Sequence, residues 1–167
     1  WELNRWQCFI VTAWMVINLM MGSRKGESTK LDGDVDHNDW FTRRSLSWSI
    51  GGRTVTDPSP SQLNELKSGR DSAKVAPKGA KCDAFGTCHG TEPIILPFHD
   101  NENNPAFWLR EIERRWECHG GDRDTLPLFC DEKGEPFTDS RFARLIMAVL
   151  TAVLGEKRAK LYSPHSW

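Results

Sequence analysis

Phe142, Leu145, Ile146, Val149, Leu150, Val153 and Leu154 recur at intervals of three and four residues, the spacing that lines up one face of an α-helix. So wide an apolar stripe forms a stable helix only where other elements cover it, because tertiary packing rather than helix propensity supplies most of the stability. Thr138 or Asp139 offers a capping oxygen at its start, and Gly155 stops it. A chain carrying this segment must build a helical layer around a core. At 167 residues it is long enough for one domain of that kind.

The rest of the chain alternates helix and strand signals. Trp6, Ile10, Ala13, Trp14 and Ile17 share a helical face, and Gly22 ends that helix as a C-cap. A short helix is expected from Arg24 to about Leu31, followed by an acidic turn over residues 32–37. Ser45–Ile50 alternates polar and apolar, Gly51-Gly52 turns, and Arg53–Thr56 returns, which predicts a hairpin. Ser61–Lys67 reads as a helical turn, with strands at Ser72–Ala76 and Pro93–Phe98. Pro105 opens a helix with Trp108, Ile112 and Trp116 on one face, and Asp131–Gly134 is a turn. Ser163-Pro164 marks a further helix start just before His165. The fold class is therefore α+β, mostly helical, with a small antiparallel sheet.

The net charge of −1 is unevenly spread. Residues 67–81 carry five cations against one carboxylate, as do residues 141–160, whereas residues 99–135 carry ten acids against five bases. Two basic segments around an acidic one fit a DNA face, and fit solvated helix faces equally. Five cysteines without regular spacing argue against a disulfide framework and for a reducing compartment. The apolar run Phe9–Met21 is too short to span a bilayer and lacks a cleavage site, so no membrane partner is expected.

Three residues stand where phosphate chemistry would need them. Arg24 follows a helix-ending glycine, and its guanidinium can hold two phosphate oxygens at once. Lys81, on a connection between two strands, can donate a proton if neighbouring cations lower its pKa. His165, at a helix start, can bond a phosphate or exchange a proton near neutral pH. Each also reads as an ordinary solvated, capping or core side chain. Lys25, Lys78, Arg43 and Arg44 are the accompanying candidates for contact with DNA.

The run Met21-Gly22-Ser23-Arg24-Lys25-Gly26-Glu27 resembles the first arginine box of tyrosine recombinases, the phage-integrase family. Ser163-Pro164-His165-Ser166-Trp167 is similar to the start of that family's His-x-x-Arg box. Ala80–Gly86 followed by Pro93–Pro97 resembles the lysine region of recombinases from eukaryotic mobile elements. The resemblance implies an incomplete catalytic domain that would bind duplex DNA, with self-association on DNA in the complete enzyme and a nuclear location. Arg24 would stabilise charge on the phosphate, Lys81 would protonate the leaving 5′ oxygen, and His165 would assist. No metal or cofactor is called for. The second arginine of the histidine box and the nucleophilic tyrosine would fall after Trp167, so the chain reads as a piece of a larger enzyme. Tyr162 precedes His165, whereas the family's nucleophile follows it.

Two other classes remain open. Cys82, Cys88, His89, His99, Cys118, His119 and Cys130 offer zinc-ligand types without the paired spacing structural zinc sites show. A noncatalytic protein-interaction domain would instead use its tryptophans as anchors and expose an apolar patch.

Overall fold

A computed structural model of the chain describes residues 3–22, 28–30, 41–76, 92–116 and 122–162. The chain divides into two compact units, one formed by Trp1–Trp40 with Pro127–Trp167, the other by Phe41–Leu126. The first unit thus takes both ends of the chain, and the second is inserted between them.

In the first unit, helix α1 spans Arg5–Met21. Asn4 and Gln7 cap it reciprocally, each side chain bonded to the other's backbone N–H. Gly22 closes it in the left-handed conformation at φ 64°, its N–H donating to the Asn18 carbonyl at 2.8 Å. The buried face is Ile10, Val11, Ala13, Trp14, Ile17 and Asn18. Helix α4 spans Asp139–Leu154, with the Thr138 side chain accepting from the Arg141 N–H. It packs against α1, Phe142 meeting the Trp14 ring edge-on at 5.1 Å between centroids.

The α4 stripe is not buried along its whole length. Phe142, Leu145, Ile146 and Leu150 are buried, but Val153 is 74% exposed although it lies within the stripe by helical spacing. The last turn of α4 runs beyond its cover. Gly155, at φ 78°, then turns the chain into a one-turn helix α5, Glu156–Ala159, which the sequence did not announce. Residues 28–30 are not helical: Lys30 forms a parallel bridge with Thr138, its N–H bonding Phe137 and its carbonyl receiving the Asp139 N–H. Asp139 also accepts from the Thr29 hydroxyl at 3.2 Å, so the start of α4 is fixed by a distant segment as well as by its own cap.

The second unit holds a four-stranded antiparallel sheet of β1 (Leu46–Ile50), β2 (Arg53–Val55), β3 (Ser72–Val75) and β4 (Ile94–Pro97), in the order β2-β1-β3-β4. The expected hairpin is present, with Trp48 opposite Val55 and Ile50 opposite Arg53. Trp48, Ala73 and Leu96 line up across three strands and are all buried. The alternate positions, Ser47, Lys74 and Ile95, line up on the opposite face.

Helix α2 (Pro60–Asn64) is capped by Ser59 and Gln62. Helix α3 (Pro105–Trp116) packs on β3 and β4. Its buried face is Pro105, Ala106, Leu109, Ile112, Glu113 and Trp116. Trp108 is not on that face: it sits at the edge, and its indole N–H donates to the Glu102 carbonyl at 2.7 Å. The helix-heavy α+β class is as the sequence predicted.

Candidate nucleic-acid interface

Arg24, Lys25, Lys78, Lys81 and His165 lie outside the described residues. The elements that lead to them are described. Arg24 follows the left-handed cap of α1 by two residues, and His165 follows α5 and Tyr162. Both preceding helices belong to the same compact unit. Lys78 and Lys81 lie on the connection between β3 and β4, adjacent antiparallel strands of the other unit.

Arg43 and Arg44 are adjacent in sequence and opposite in environment. Arg43, expected on a DNA face, is buried, and its guanidinium donates to Glu113 at 2.7 Å. Glu113, itself 2% exposed, also takes a two-pronged contact from Arg123, at 2.8 Å to one carboxylate oxygen and 3.0 Å to the other. Arg123 further reaches Asp57 and the carbonyl of Arg43. Backbone bonds from Arg43 to Leu126 and from Arg44 to Arg123 run alongside. In this arrangement Arg43 is a clamp between α3 and the chain entering β1, not a surface for phosphate.

Arg44 is exposed and paired with Asp124. Hydrogen bonding to Asp124 first, then the charges of Asp124 and Asp122, hold its pKa above the ordinary arginine value. A phosphate meeting Arg44 would have to displace that carboxylate.

Sequence reasoning missed a second cluster in this unit. The Asp71 carboxylate is buried and accepts two backbone N–H groups, Gly51 on the β1–β2 turn at 2.9 Å and Lys67 after α2 at 2.7 Å. The Asp71 carbonyl receives the Phe98 N–H, and the Gly69 N–H donates to Phe98, so the chain leaving β4 is tied to the same point. Three connections therefore converge at one end of the sheet, and they bring Arg53, Lys67 and Arg70 there, all exposed. Lys74 stands on the outward sheet face with its ammonium 3.3 Å from the Thr54 hydroxyl. The basic run 67–81 was the available signal, but nothing in it showed that Arg53 joins from the hairpin.

Replacing Asp71 with Ala should cost about 2–4 kcal/mol, since two half-buried N–H groups lose their acceptor at about 1–2 kcal/mol each. Urea unfolding of the variant checks this. A loss below about 0.5 kcal/mol would mean that the turns hold their shape without the carboxylate.

Among the described residues no group of three or more His, Cys, Asp or Glu side chains is placed to hold a metal ion. Of the seven zinc candidates only His99 and Cys130 are described, and they belong to different units. Trp14, Trp48 and Trp116 are buried. Trp6 is half-buried with its indole N–H bonded to the Cys130 carbonyl, and Trp108 is tied down likewise. None of the five described tryptophans is presented as an exposed anchor. No helix among the described residues is long and apolar enough to cross a membrane. No protein-family model, no curated protein and no solved structure matches the chain.

Proposed function

We propose that the chain is part of the catalytic domain of a tyrosine recombinase and that it binds duplex DNA through phosphates. The observation that carries this reading is the order of its three boxes in the sequence: Arg24 after an apolar helix, Lys81 between strands, His165 directly after Ser163-Pro164. The elements around the boxes support it. Helix α1 ends in a left-handed glycine two residues before Arg24, and Lys81 falls between paired antiparallel strands.

In the complete reaction a tyrosine attacks a DNA phosphate, forming a 3′-phosphotyrosyl bond and releasing the 5′ oxygen. The guanidinium of Arg24 holds the non-bridging oxygens as negative charge builds on them. Lys81 delivers the proton to the leaving oxygen, and His165 bonds the phosphate or relays a proton. The work is positioning and cationic clamping.

The 167-residue chain has one tyrosine, Tyr162, and it precedes the histidine box. The expected result is salt-sensitive binding of duplex DNA without a covalent adduct. Gel shifts at two salt concentrations and denaturing gels of a nicked suicide substrate measure both. Arg24→Ala should weaken binding on every sequence alike, because phosphate contacts position a protein and carry no sequence information. Binding indifferent to salt and to Arg24 would overturn the proposal. A denaturant-resistant adduct would make Tyr162 the nucleophile.

A further inference from the structure

We infer that the end of the sheet organised by Asp71 is a docking surface for the sugar-phosphate backbone of duplex DNA, formed by Lys67, Arg70 and Lys74. This inference takes its partner from the function proposed above and adds a surface remote in sequence from Arg24 and His165.

The other described cations of the same unit are engaged by carboxylates. Arg43, Arg44, Arg110, Arg114, Arg115 and Arg123 each lie within 3.3 Å of a carboxylate. Each is held by a carboxylate, Glu111 being shared by Arg110, Arg114 and Arg115, and a phosphate meeting them must compete with it. Arg53, Lys67, Arg70 and Lys74 form no ion pair among the described residues. The carboxylate at their centre, Asp71, is turned inward onto two backbone N–H groups, so it shapes the surface without facing it. Asp100 on the neighbouring loop is occupied by Arg110 at 2.8 Å. The exposed acids on the flanking connections are Glu65, Glu102 and Asp57, the last paired with Arg123.

The outward sheet face beside these cations is polar for most of its extent. By strand register it carries Ser47, Ser49, Thr54, Ser72, Lys74, Ile95 and Pro97. Hydroxyls and a lysine suit phosphate oxygens. No aromatic side chain stands among them, so this face lacks the stacking platform by which proteins hold unpaired bases. That selects a duplex over a single strand. The backbone here is also tied down, because the Asp71 carboxylate holds the Gly51 and Lys67 N–H groups and its carbonyl holds that of Phe98, so little backbone ordering entropy is lost when a ligand is met.

The test is fluorescence anisotropy of the full chain with a short mixed-sequence DNA duplex over a series of salt concentrations. The triple variant Lys67→Ala, Arg70→Ala, Lys74→Ala leaves the Asp71 bonds in place. The pair Arg114→Ala, Arg115→Ala serves as the control, removing two cations that share Glu111 on α3. The triple variant should lower the slope of log affinity against log salt by about 0.9 for each cation that meets a phosphate, roughly 2–3 in all. The control pair should leave the slope unchanged.

Circular dichroism establishes that the triple variant is folded, and single substitutions replace it if it is not. An unchanged slope in a folded variant, equal loss in the control pair, or tighter binding of single-stranded DNA overturns the inference. Loss with Arg24→Ala but not with the triple variant overturns this surface and leaves the recombinase reading standing. Loss with the triple variant but not with Arg24→Ala does the reverse.

Discussion

Replacing Glu113 with Ala should destabilise the Phe41–Leu126 unit by about 3–5 kcal/mol, the range seen when one partner of a buried ion pair is removed. The carboxylate is 2% exposed and holds Arg43 and Arg123 together. Without it two guanidinium groups are left at one site, and Arg43, 6% exposed, has no route to water without moving the chain that enters β1. Asp57 reaches only Arg123, and from a position 79% exposed, so it compensates little. Glu113→Gln should recover part of the loss by keeping an acceptor oxygen, but not the charge balance.

The pair Arg44 and Asp124 provides the contrast. Its side chains are 73% and 51% exposed, and solvent screens their attraction. Arg44→Ala should therefore change stability by less than about 1 kcal/mol. Hydrogen exchange read by segment separates the outcomes, because the Glu113 variant should lose protection in β1 and α3 while α1 and α4 keep theirs. Equal effects from Glu113→Ala and Arg44→Ala would remove the argument for a buried clamp.

That clamp shows where the sequence stopped being legible. The periodicity of residues 105–116 gave the helix, and Pro105 gave its start. The same periodicity led to Trp108 as a core residue, because hydropathy ranks tryptophan above a glutamate five residues further on. The structure reverses the two: Glu113 is inside and Trp108 at the edge. A charge on an apolar face is a visible signal, but its partners come from residues 43 and 123, and no local pattern links them. For the same reason Arg43 and Arg44 looked alike. The hairpin, by contrast, was readable because its turn glycines and its alternation lie within a dozen residues. Of the candidate site, Arg43 and Arg44 are placed by the structure, and Arg24, Lys25, Lys78, Lys81 and His165 rest on their boxes and spacing. The cationic end of the sheet needed the fold, since Asp71 joins connections that the sequence keeps apart.

Phe142→Ala and Val153→Ala should separate the two halves of the α4 stripe. Phe142 is fully buried, edge-on to Trp14 at 5.1 Å and tilted against Phe137 at 5.3 Å. Truncating a buried Phe to Ala forfeits its transfer free energy and leaves a cavity, for a total of about 3–5 kcal/mol. The two ring contacts place this site toward the upper end of that range, each adding about 0.5–1.5 kcal/mol beyond area burial. Val153 occupies the same stripe by spacing but is 74% exposed, so its truncation leaves no cavity and should stay within about 0.5 kcal/mol. Domains are stable by only about 5–15 kcal/mol, so the first substitution removes a large share and the second almost none. Urea melts followed by far-ultraviolet circular dichroism measure both. A Val153 variant as damaged as the Phe142 variant would mean that the last turn of α4 is covered in solution. A Phe142 variant losing less than about 1 kcal/mol would mean that α1 and α4 do not share the core described for them.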